Sequence, residues 1–415
     1  MPERQPVDVL IVGAGVIGLT VAWRARQAGL SVSVLERDLP GRAASHVAAG
    51  MLAPVAEVEF GEAGRRLLEL GLRSTAMWPA FAAELETCTG VSVGLMPTGT
   101  LLAARDEDDA RELERQLAFR QSLGLAVRRL RPSQARELEP ALAPTVRLAL
   151  DAPEDHSVDP RLVLAALQRA CAVAGVEVRG HAPVAQIDLD DARCRVTGVR
   201  LADGERLPAG QVVLAAGAWT ETIAGLPDGA GVPVRPVRGQ VLRLRDPAGP
   251  GLLQRVLRFR GGYLVPREDG GYVLGATVEE RGFSLAPTAG GVYELLRDAL
   301  ALVPGLGELE IVELSVGLRP GTPDNAPAIG PGAVAGLIWA TGHYRNGILL
   351  APLTGALVAR ALAGAREPSG DVASAGGGAH APEPDLDALL SACAPGRFTA
   401  EVHHARPTRP PVGAV

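Results

Sequence analysis

The stretch Val7-Asp-Val-Leu-Ile-Val-Gly13-Ala-Gly15-Val-Ile-Gly18-Leu-Thr-Val-Ala-Trp-Arg-Ala-Arg-Gln-Ala-Gly29-Leu-Ser-Val-Ser-Val-Leu-Glu36-Arg37 decides the fold. An apolar run of strand length, Val9–Val12, meets a G-x-G-x-x-G. A helical pattern follows from Leu19 to Ala28, with Gly29 placed to stop it. Ser31–Leu35 reads as a second strand ending in the acid Glu36. Strand, glycine turn, helix, strand and acid in that order form one βαβ unit of dinucleotide-binding type. Gly13 allows the tight turn and Gly15 lets a pyrophosphate approach the backbone. Gly18 lets helix and strand pack closely. The helix N-terminus offers free N–H groups and positive potential to phosphates. Glu36 is placed to accept hydrogen bonds from ribose hydroxyls, and an acid there disfavours a 2′-phosphate, hence NADP. The motif alone does not separate NAD from FAD.

The chain has 415 residues, enough for two or three domains around a large core. The net charge of -6 gives no electrostatic footprint for nucleic acid or an anionic membrane. No apolar stretch reaches membrane-span length and the first residues do not form a signal-peptide core, so a cytoplasmic location is expected. Four scattered cysteines form no C-x-x-C and the histidines no H-E-x-x-H, so no metal site is expected. All 41 basic residues are arginine. Without lysine there is no Schiff base, no ordinary pyridoxal phosphate chemistry and no Walker P-loop. Any fixed cation must be a guanidinium, which suits bidentate carboxylate recognition.

Further along, His46–Pro54 is rich in small residues. It reads equally as a close approach of backbone to ligand and as an alanine-rich helix start. Leu67–Leu85 and Asp106–Leu123 have helical spacing, and Leu95–Ala103 reads as two short strands about a turn. Asp159-Pro160 reads as N-cap and first residue of a helix to Ala174. Gln211–Trp219 is an apolar strand ending in small residues, so it leaves room for a cofactor at the carboxyl end of a parallel sheet. From Val237 the pattern turns antiparallel. Gln240–Arg245 alternates, and Gly262–Pro266 and Gly271–Gly275 flank the turn Arg267–Gly270. Val292–Leu302 reads as a helix, Gly336–Ala340 as a strand and Ile348–Leu362 as a last helix. Beyond Gly364 no apolar periodicity is evident, and residues 365–415 are expected to form a disordered tail. The fold class expected is α/β, a Rossmann-like domain with a parallel sheet and an inserted antiparallel-sheet α+β domain. The first is assigned residues 1–80, 150–225 and 330–364, the second 81–149 and 226–329.

The opening unit, VAAGMLAP, VVLAAGAW, VGLRPGTPDNAPAIG and GHYRNGILLAP, in that order, resemble the D-amino-acid oxidase family of flavoproteins, and within it the glycine oxidase branch of the thiamine pathway. The likeness spans about Val7 to Gly364. It implies non-covalent FAD, with contacts at Gly13, Gly15, Val16, Ile17, Gly18, Glu36, Arg37, Ala44, Ser45, Ala49, Gly50, Met51, Val184, Gly217, and the run His343, Tyr344, Arg345, Asn346, Gly347, Ile348 and Leu349. By position, Arg319 matches the arginine that grips the substrate carboxylate, Tyr263 a tyrosine near that carboxylate, and Arg345 an arginine at the flavin and substrate pocket. The related sarcosine oxidases tether flavin through a cysteine and use a lysine. This chain has neither at the matching places. Where the type glycine oxidase carries a methionine after Gly-Ala-Thr, it has Val278.

The reaction so implied is oxidative deamination of glycine and other small amino acids to an imine, then a 2-oxo acid and ammonia, with oxygen reduced to hydrogen peroxide. A dehydrogenase with another electron acceptor and a non-catalytic flavin-binding protein are the competing readings. The partners expected are a small amino acid and oxygen, with homo-oligomerisation left open.

Overall fold

A computed structural model describes residues 7–364 and 386–398. Two eight-stranded sheets organise them. In the first, the order is Ala328–Pro331, Leu337–Thr341, Arg206–Leu214, Val7–Val12, Val32–Leu35 and Glu177–Arg179. Val7–Val12 lies parallel to both Val32–Leu35 and Arg206–Leu214, with Val12 opposite Leu35 and Leu214, so these three strands end at one level. Leu337–Thr341 continues the parallel set, and Ala328–Pro331 closes it antiparallel. The hairpin Val184–Leu189/Val196–Leu201 extends from Arg206–Leu214, whose Asp203-Gly204 turn sits where the sequence places it.

The glycine turn behaves as its chemistry requires. Gly13 has φ +107°, and a Cβ on it would stand 2.4 Å from the Ala215 carbonyl oxygen. A Cβ on Gly18 would meet the Gly13 carbonyl oxygen at 1.8 Å, so helix and turn pack with no room for a side chain. The helix Val16–Gln27 is apolar almost all round. It is buried between the helices Pro160–Val173 and Ala351–Gly364 on one face of the sheet. Asp159 caps Pro160–Val173 by accepting from the Arg161 N–H at 2.8 Å.

The second sheet runs Glu310–Gly321, Arg235–Arg245, Gly271–Gly275, Gly262–Pro266, Val256–Phe259, Thr100–Ala104, Leu148–Ala152 and Arg128–Leu130. Its strands are antiparallel except at Val256–Phe259 and Thr100–Ala104, which pair parallel. That exception falls where two separated chain segments meet, since a hairpin cannot join strands about 150 residues apart in sequence. The sheet is thus antiparallel, as expected, apart from this one parallel pair.

Other expectations shift in detail. The helix begun at Leu67 runs from Glu62 to Thr89 and carries Pro79 inside it, crossing the expected boundary at residue 80. Leu148–Ala152 and Ala328–Pro331 straddle the expected boundaries at 149/150 and 329/330, joining the second and first sheets respectively. Leu95–Ala103 yields one strand, Thr100–Ala104, and a single bridge from Met96 to Ser157. The last helix starts at Ala351, three residues later than its apolar spacing implies, because Gly347–Leu350 form turns.

The largest correction concerns the C-terminal segment. Residues 365–385 and 399–415 lie outside the described part, but 386–398 pack on the body. Helix Leu386–Ala392 and the turn Pro395–Phe398 bury Leu389, Cys393 and Phe398. The Ile329 N–H donates to the Cys393 carbonyl at 3.0 Å. Arg397 pairs with Asp324 at 2.9 Å and donates to the carbonyls of Ala326 and Pro327. A few apolar residues at helical spacing, Leu386, Leu389, Leu390 and Cys393, are enough to dock this short helix. Among the described residues no helix is long and apolar enough to cross a membrane.

Candidate active site

A cavity of about 630 Å³ runs from the carboxyl ends of the parallel strands to the inner face of the second sheet. One end is lined by Gly13, Gly15, Val16, Ile17, Glu36 and Arg37, the other by Tyr263, Val278, Arg319 and Arg345. Placement at the carboxyl edge follows from the fold, because there the glycine turn and the helix N-terminus open outwards.

At the first end the polar groups are prearranged. Glu36 Oε2 accepts from the Ala14 N–H at 2.8 Å and Oε1 from the Asp38 N–H at 3.2 Å, which ties the end of the second strand to the glycine turn. Ser45 Oγ accepts from the Val16 N–H at 3.1 Å, supplying the cap that Gly15 lacks. The N–H groups of Gly15 and Ile17 make no hydrogen bond among the described residues and remain for an anion. Arg37 lies 3.8 Å over the Trp219 ring. Ala44, Ser45, Ala49, Gly50, Met51, Val184 and Gly217 line the middle. Gly50 has φ +81°, and a Cβ there would reach the Val158 carbonyl oxygen at 2.1 Å. The helical turn Ala44–Val47 ends before Ala48, so Ala48, Ala49 and Gly50 follow the close-approach reading and not that of an alanine-rich helix start.

The run His343–Leu349 divides. His343, Tyr344, Arg345, Gly347 and Ile348 line the cavity. Asn346 and Leu349 turn away to a small separate recess, and the Leu349 carbonyl accepts from Ser74 Oγ and Trp78 Nε1. Gly18 does not line the cavity either; its place is in the packing described above. Tyr344 holds φ +47°, fixed by its N–H donating to the Pro320 carbonyl at 2.9 Å. The Gly347 and Ile348 N–H groups make no hydrogen bond among the described residues, so the turn leading into the last helix presents two donors at the cavity wall. His343 is buried, its Nε2 is 2.9 Å from Thr354 Oγ1, and burial pushes its pKa down to about 3, so it is neutral near pH 7.

At the other end Arg319 stands opposite Val237 in the ladder between Glu310–Gly321 and Arg235–Arg245. Its guanidinium lies across Gly239, where a Cβ would come within 2.4–2.6 Å of Nη1, Nη2 and Cζ. Nη1 donates to the Thr277 carbonyl at 3.1 Å and the Arg238 carbonyl at 3.3 Å. Half-buried, Arg319 has no carboxylate partner among the described residues. The Tyr263 ring lies over Gly275 in the same way: a Cβ there would stand 2.7 Å from the phenol oxygen. Burial raises the Tyr263 pKa, and the charge of Arg319 pulls it back. Arg345 is exposed at the mouth, 4.0 Å from Glu59, and Val278 is 51% exposed on the rim.

Sequence reading missed Glu57 and Arg258, which also line this end and pair at 3.4 Å. An acid three residues past the small-residue run was the available signal for Glu57. Arg258 carried none, because alternation marks its strand but not which of its polar residues turns inward.

The residues present fit a flavin adenine dinucleotide. The cavity reaches from the glycine turn to the second sheet, the glycine turn leaves free N–H groups for the pyrophosphate, and Glu36, bonded to the Ala14 N–H, lines the cavity beside that turn where a ribose would lie. None of the four cysteines lines the cavity, and a thiol tether from them is therefore out of reach.

The family model for FAD-dependent oxidoreductases of the DAO type matches residues 8–361. The glycine oxidase of Geobacillus kaustophilus is 37% identical over 85% of this chain and 92% of its own length. A bifunctional protein ThiO/ThiG from Trichormus variabilis is 38% identical over 85% of this chain but 52% of its own length, so the chain spans about half of that relative. The crystal structure of glycine oxidase from Geobacillus kaustophilus superposes with a TM-score of 0.80 at 35% identity, covering 89% of this chain and 97% of that one. Nucleotide-binding edge, second sheet and cavity thus occur together in a chain that belongs to the DAO family of FAD-dependent oxidoreductases.

Proposed function

We propose that this protein is an FAD-dependent amino-acid oxidase acting on glycine and other small amino acids, with thiamine biosynthesis as its setting. For glycine the reaction is glycine, oxygen and water to glyoxylate, ammonia and hydrogen peroxide. The observation that carries this reading is Arg319: a guanidinium seated on Gly239, bonded to two backbone carbonyls, without a carboxylate partner among the described residues, beside Tyr263 in the cofactor cavity. A substrate carboxylate supplies the missing partner.

Bound non-covalently, FAD supplies the two-electron redox chemistry. The chain's own residues then have limited tasks. Arg319 and Tyr263 orient the substrate by its carboxylate, which fixes the Cα relative to the cofactor. The Gly347 and Ile348 N–H groups favour negative charge at the cavity wall. His343 is buried and engaged with Thr354, and burial lowers its pKa to about 3, so it is a weak base. The fit with glycine oxidases in sequence and structure supports the substrate class.

The test is anaerobic mixing of the purified holoenzyme with glycine, sarcosine and D-amino acids, followed by admission of air. Loss of the oxidised flavin band with at least one of them, and stoichiometric peroxide afterwards, is the expected result. Bleaching without peroxide in air assigns a different electron acceptor. No bleaching with any of them overturns the amino-acid reading.

A further inference from the structure

Two buried charges act on one short piece of backbone next to the substrate end, and neither touches the cavity. Val55 and Ala56 lie just past the two-residue strand Met51–Leu52 and have no ladder partner of their own. Buried peptide groups in such a place must find hydrogen bonds elsewhere. Asp155, fully buried in the turn after Leu148–Ala152, accepts from the Val55 N–H at 3.1 Å and the Ala56 N–H at 2.5 Å. Arg120, fully buried near the end of helix Glu107–Ser122, donates from Nε to the Val55 carbonyl at 2.8 Å and from Nη2 to the Ala56 carbonyl at 2.7 Å. Both donors and both acceptors of two consecutive residues are thus occupied by one carboxylate and one guanidinium. The Val55 and Ala56 side chains pack among Leu102, Leu113, Leu117 and Leu150 of the second sheet and its helix.

The next residue is Glu57, which lines the cavity. Its carboxylate is 3.4 Å from Arg258, and Arg258 Nη1 also donates to the Ala56 carbonyl at 3.2 Å. Glu57 acts electrostatically on the Tyr263 phenol from the same side. Its backbone N–H donates to the Ala53 carbonyl at 3.0 Å, inside the same strap.

We propose that Asp155 and Arg120 are positioning residues for the substrate end: they fix the Val55 and Ala56 peptide groups and so set where the Glu57 carboxylate stands against Arg258, at the end of the cavity that Arg319 and Tyr263 also line. This deepens the amino-acid oxidase reading and rests on it for the identity of the substrate. Given that reading, Arg319 takes the carboxylate end of a small amino acid and Glu57 faces its amine end. A negative charge held there favours approach of the cationic amine form, so its placement governs KM more than kcat. Burial pushes the Asp155 pKa up to about 7, against the two N–H donors that favour its carboxylate form. The charged groups that face it are Arg120 and, beyond the peptide groups, Glu57. Arg258 acts on Arg120 in turn.

The experiment compares wild type, Asp155→Asn, Arg120→Gln, Glu57→Gln and the double variant Asp155→Asn/Glu57→Gln as holoenzymes, with glycine as substrate. Asp155→Asn is expected to raise KM about tenfold with a smaller change in kcat and with flavin content kept. Adding it to Glu57→Gln is expected to raise KM little further, since both act through one carboxylate. Additive effects on KM, or a KM equal to wild type in Asp155→Asn, overturn the proposal in favour of a purely structural role. Should Asp155→Asn fail to fold, Arg120→Gln and Arg120→Lys carry the same test, with lysine rescuing less than half of the KM effect because it cannot span two carbonyls with fixed geometry. Thermal unfolding of Asp155→Asn, Arg120→Gln and their combination provides a readout without substrate. Non-additive losses are expected there, and additive ones contradict the shared grip. If wild type turns over no amino acid, the functional reading fails on its own, and unfolding still decides whether the two residues share these peptide groups.

Discussion

At the scale of single residues, what a glycine permits matters as much as what a charged side chain does. Arg319 stands in its place because Gly239 has no Cβ, and Tyr263 because Gly275 has none. On the proposed role, Arg319→Ala removes a charge-assisted, two-pronged contact worth roughly 1.5–3 kcal/mol per hydrogen bond, so kcat/KM for glycine is expected to fall on the order of 10²–10⁴-fold. Lysine restores part of it, and FAD content stays near wild type. An amine without a carboxylate, tested in parallel, loses little. Equal loss for both substrates contradicts the carboxylate role. Gly239→Ala is expected to act on the same step from behind, displacing the guanidinium without deleting it, with kcat/KM reduced on the order of 10–10³-fold and Arg319→Ala adding little on top. Asp155 makes a different prediction. Its pKa in the folded protein, about 7, is above the ordinary 3.8 of an aspartate, so the ionised form is disfavoured by folding. Stability from this group is full below pH 4 and is lost as pH rises through about 7. The stability of wild type relative to Asp155→Asn, measured by urea unfolding, is therefore expected to decline between about pH 4 and pH 7 and to level off above that. A difference that grows with pH contradicts the assignment. Of these residues the sequence carried Arg319 and Tyr263 through their flanking motifs. Asp155 and Arg120 carried nothing legible, because their partners are backbone atoms 100 and 65 residues away.

At the scale of elements, the segment His46–Glu57 shows how a chain without lysine fixes irregular backbone near a cofactor. Its carbonyls are held in turn by guanidinium groups: His46 by Arg161 and Arg243, Ala49 by Arg267, Val55 and Ala56 by Arg120. These arginines come from the helices Pro160–Val173 and Glu107–Ser122 and from the second sheet, so the strap couples both sheets to the cavity. A planar fork can hold a carbonyl and keep a carboxylate, as Arg161 does with Glu313 at 2.7 Å. Burial and the surrounding arginines lower the His46 pKa to about 4, so this histidine adds no charge to the cluster above pH 5. Ser45 begins the strap and caps the first helix from outside it. Ser45→Ala is expected to cost about 0.5–2 kcal/mol of stability in the flavin-free protein, the usual loss of a cap, and to weaken FAD affinity as the turn loosens. Calorimetry of the flavin-free form and flavin titration measure the two effects separately. A stable helix with unchanged FAD affinity would falsify the capping role. The sequence showed that small residues cluster here, but it could not show that one turn of helix gives way to close approach, because alanine serves both.

At the scale of the whole molecule, the parallel sheet was readable because its central strands carry apolar runs, Val9–Val12, Val212–Leu214 and Leu337–Ala340, and strands buried on both faces demand such runs. The second sheet was readable only in its hairpins. Thr100–Ala104 pairs with Val256–Phe259 and Leu148–Ala152, and nothing in any one strand announces partners so far along the chain. The C-terminal segment escaped for a related reason. Its apolar set is too short to stand out in a Gly- and Pro-rich stretch, and its stability comes from what it docks on. That docking bears on the active site by a short covalent path. Arg397 holds Asp324 and the carbonyls of Ala326 and Pro327. This loop joins the strand that ends with Arg319–Gly321 to the edge strand Ala328–Pro331, whose Ile329 bonds to Cys393. Ending the chain after Gly364 uncovers the edge of the parallel sheet and removes four polar contacts of the loop. Uncovering Leu389, Cys393 and Phe398 and their partners forfeits roughly 1.5–3 kcal/mol for each fully buried large apolar side chain, offset in part by the entropy regained by the released segment. The truncated protein is expected to bind FAD, unfold several degrees lower and show a raised KM for glycine as the loop behind Arg319 loosens. Arg397→Ala in the full chain should reproduce part of the KM effect with a smaller loss of stability. A truncated protein with unchanged melting temperature and KM would show that residues 386–398 rest on the body without holding it.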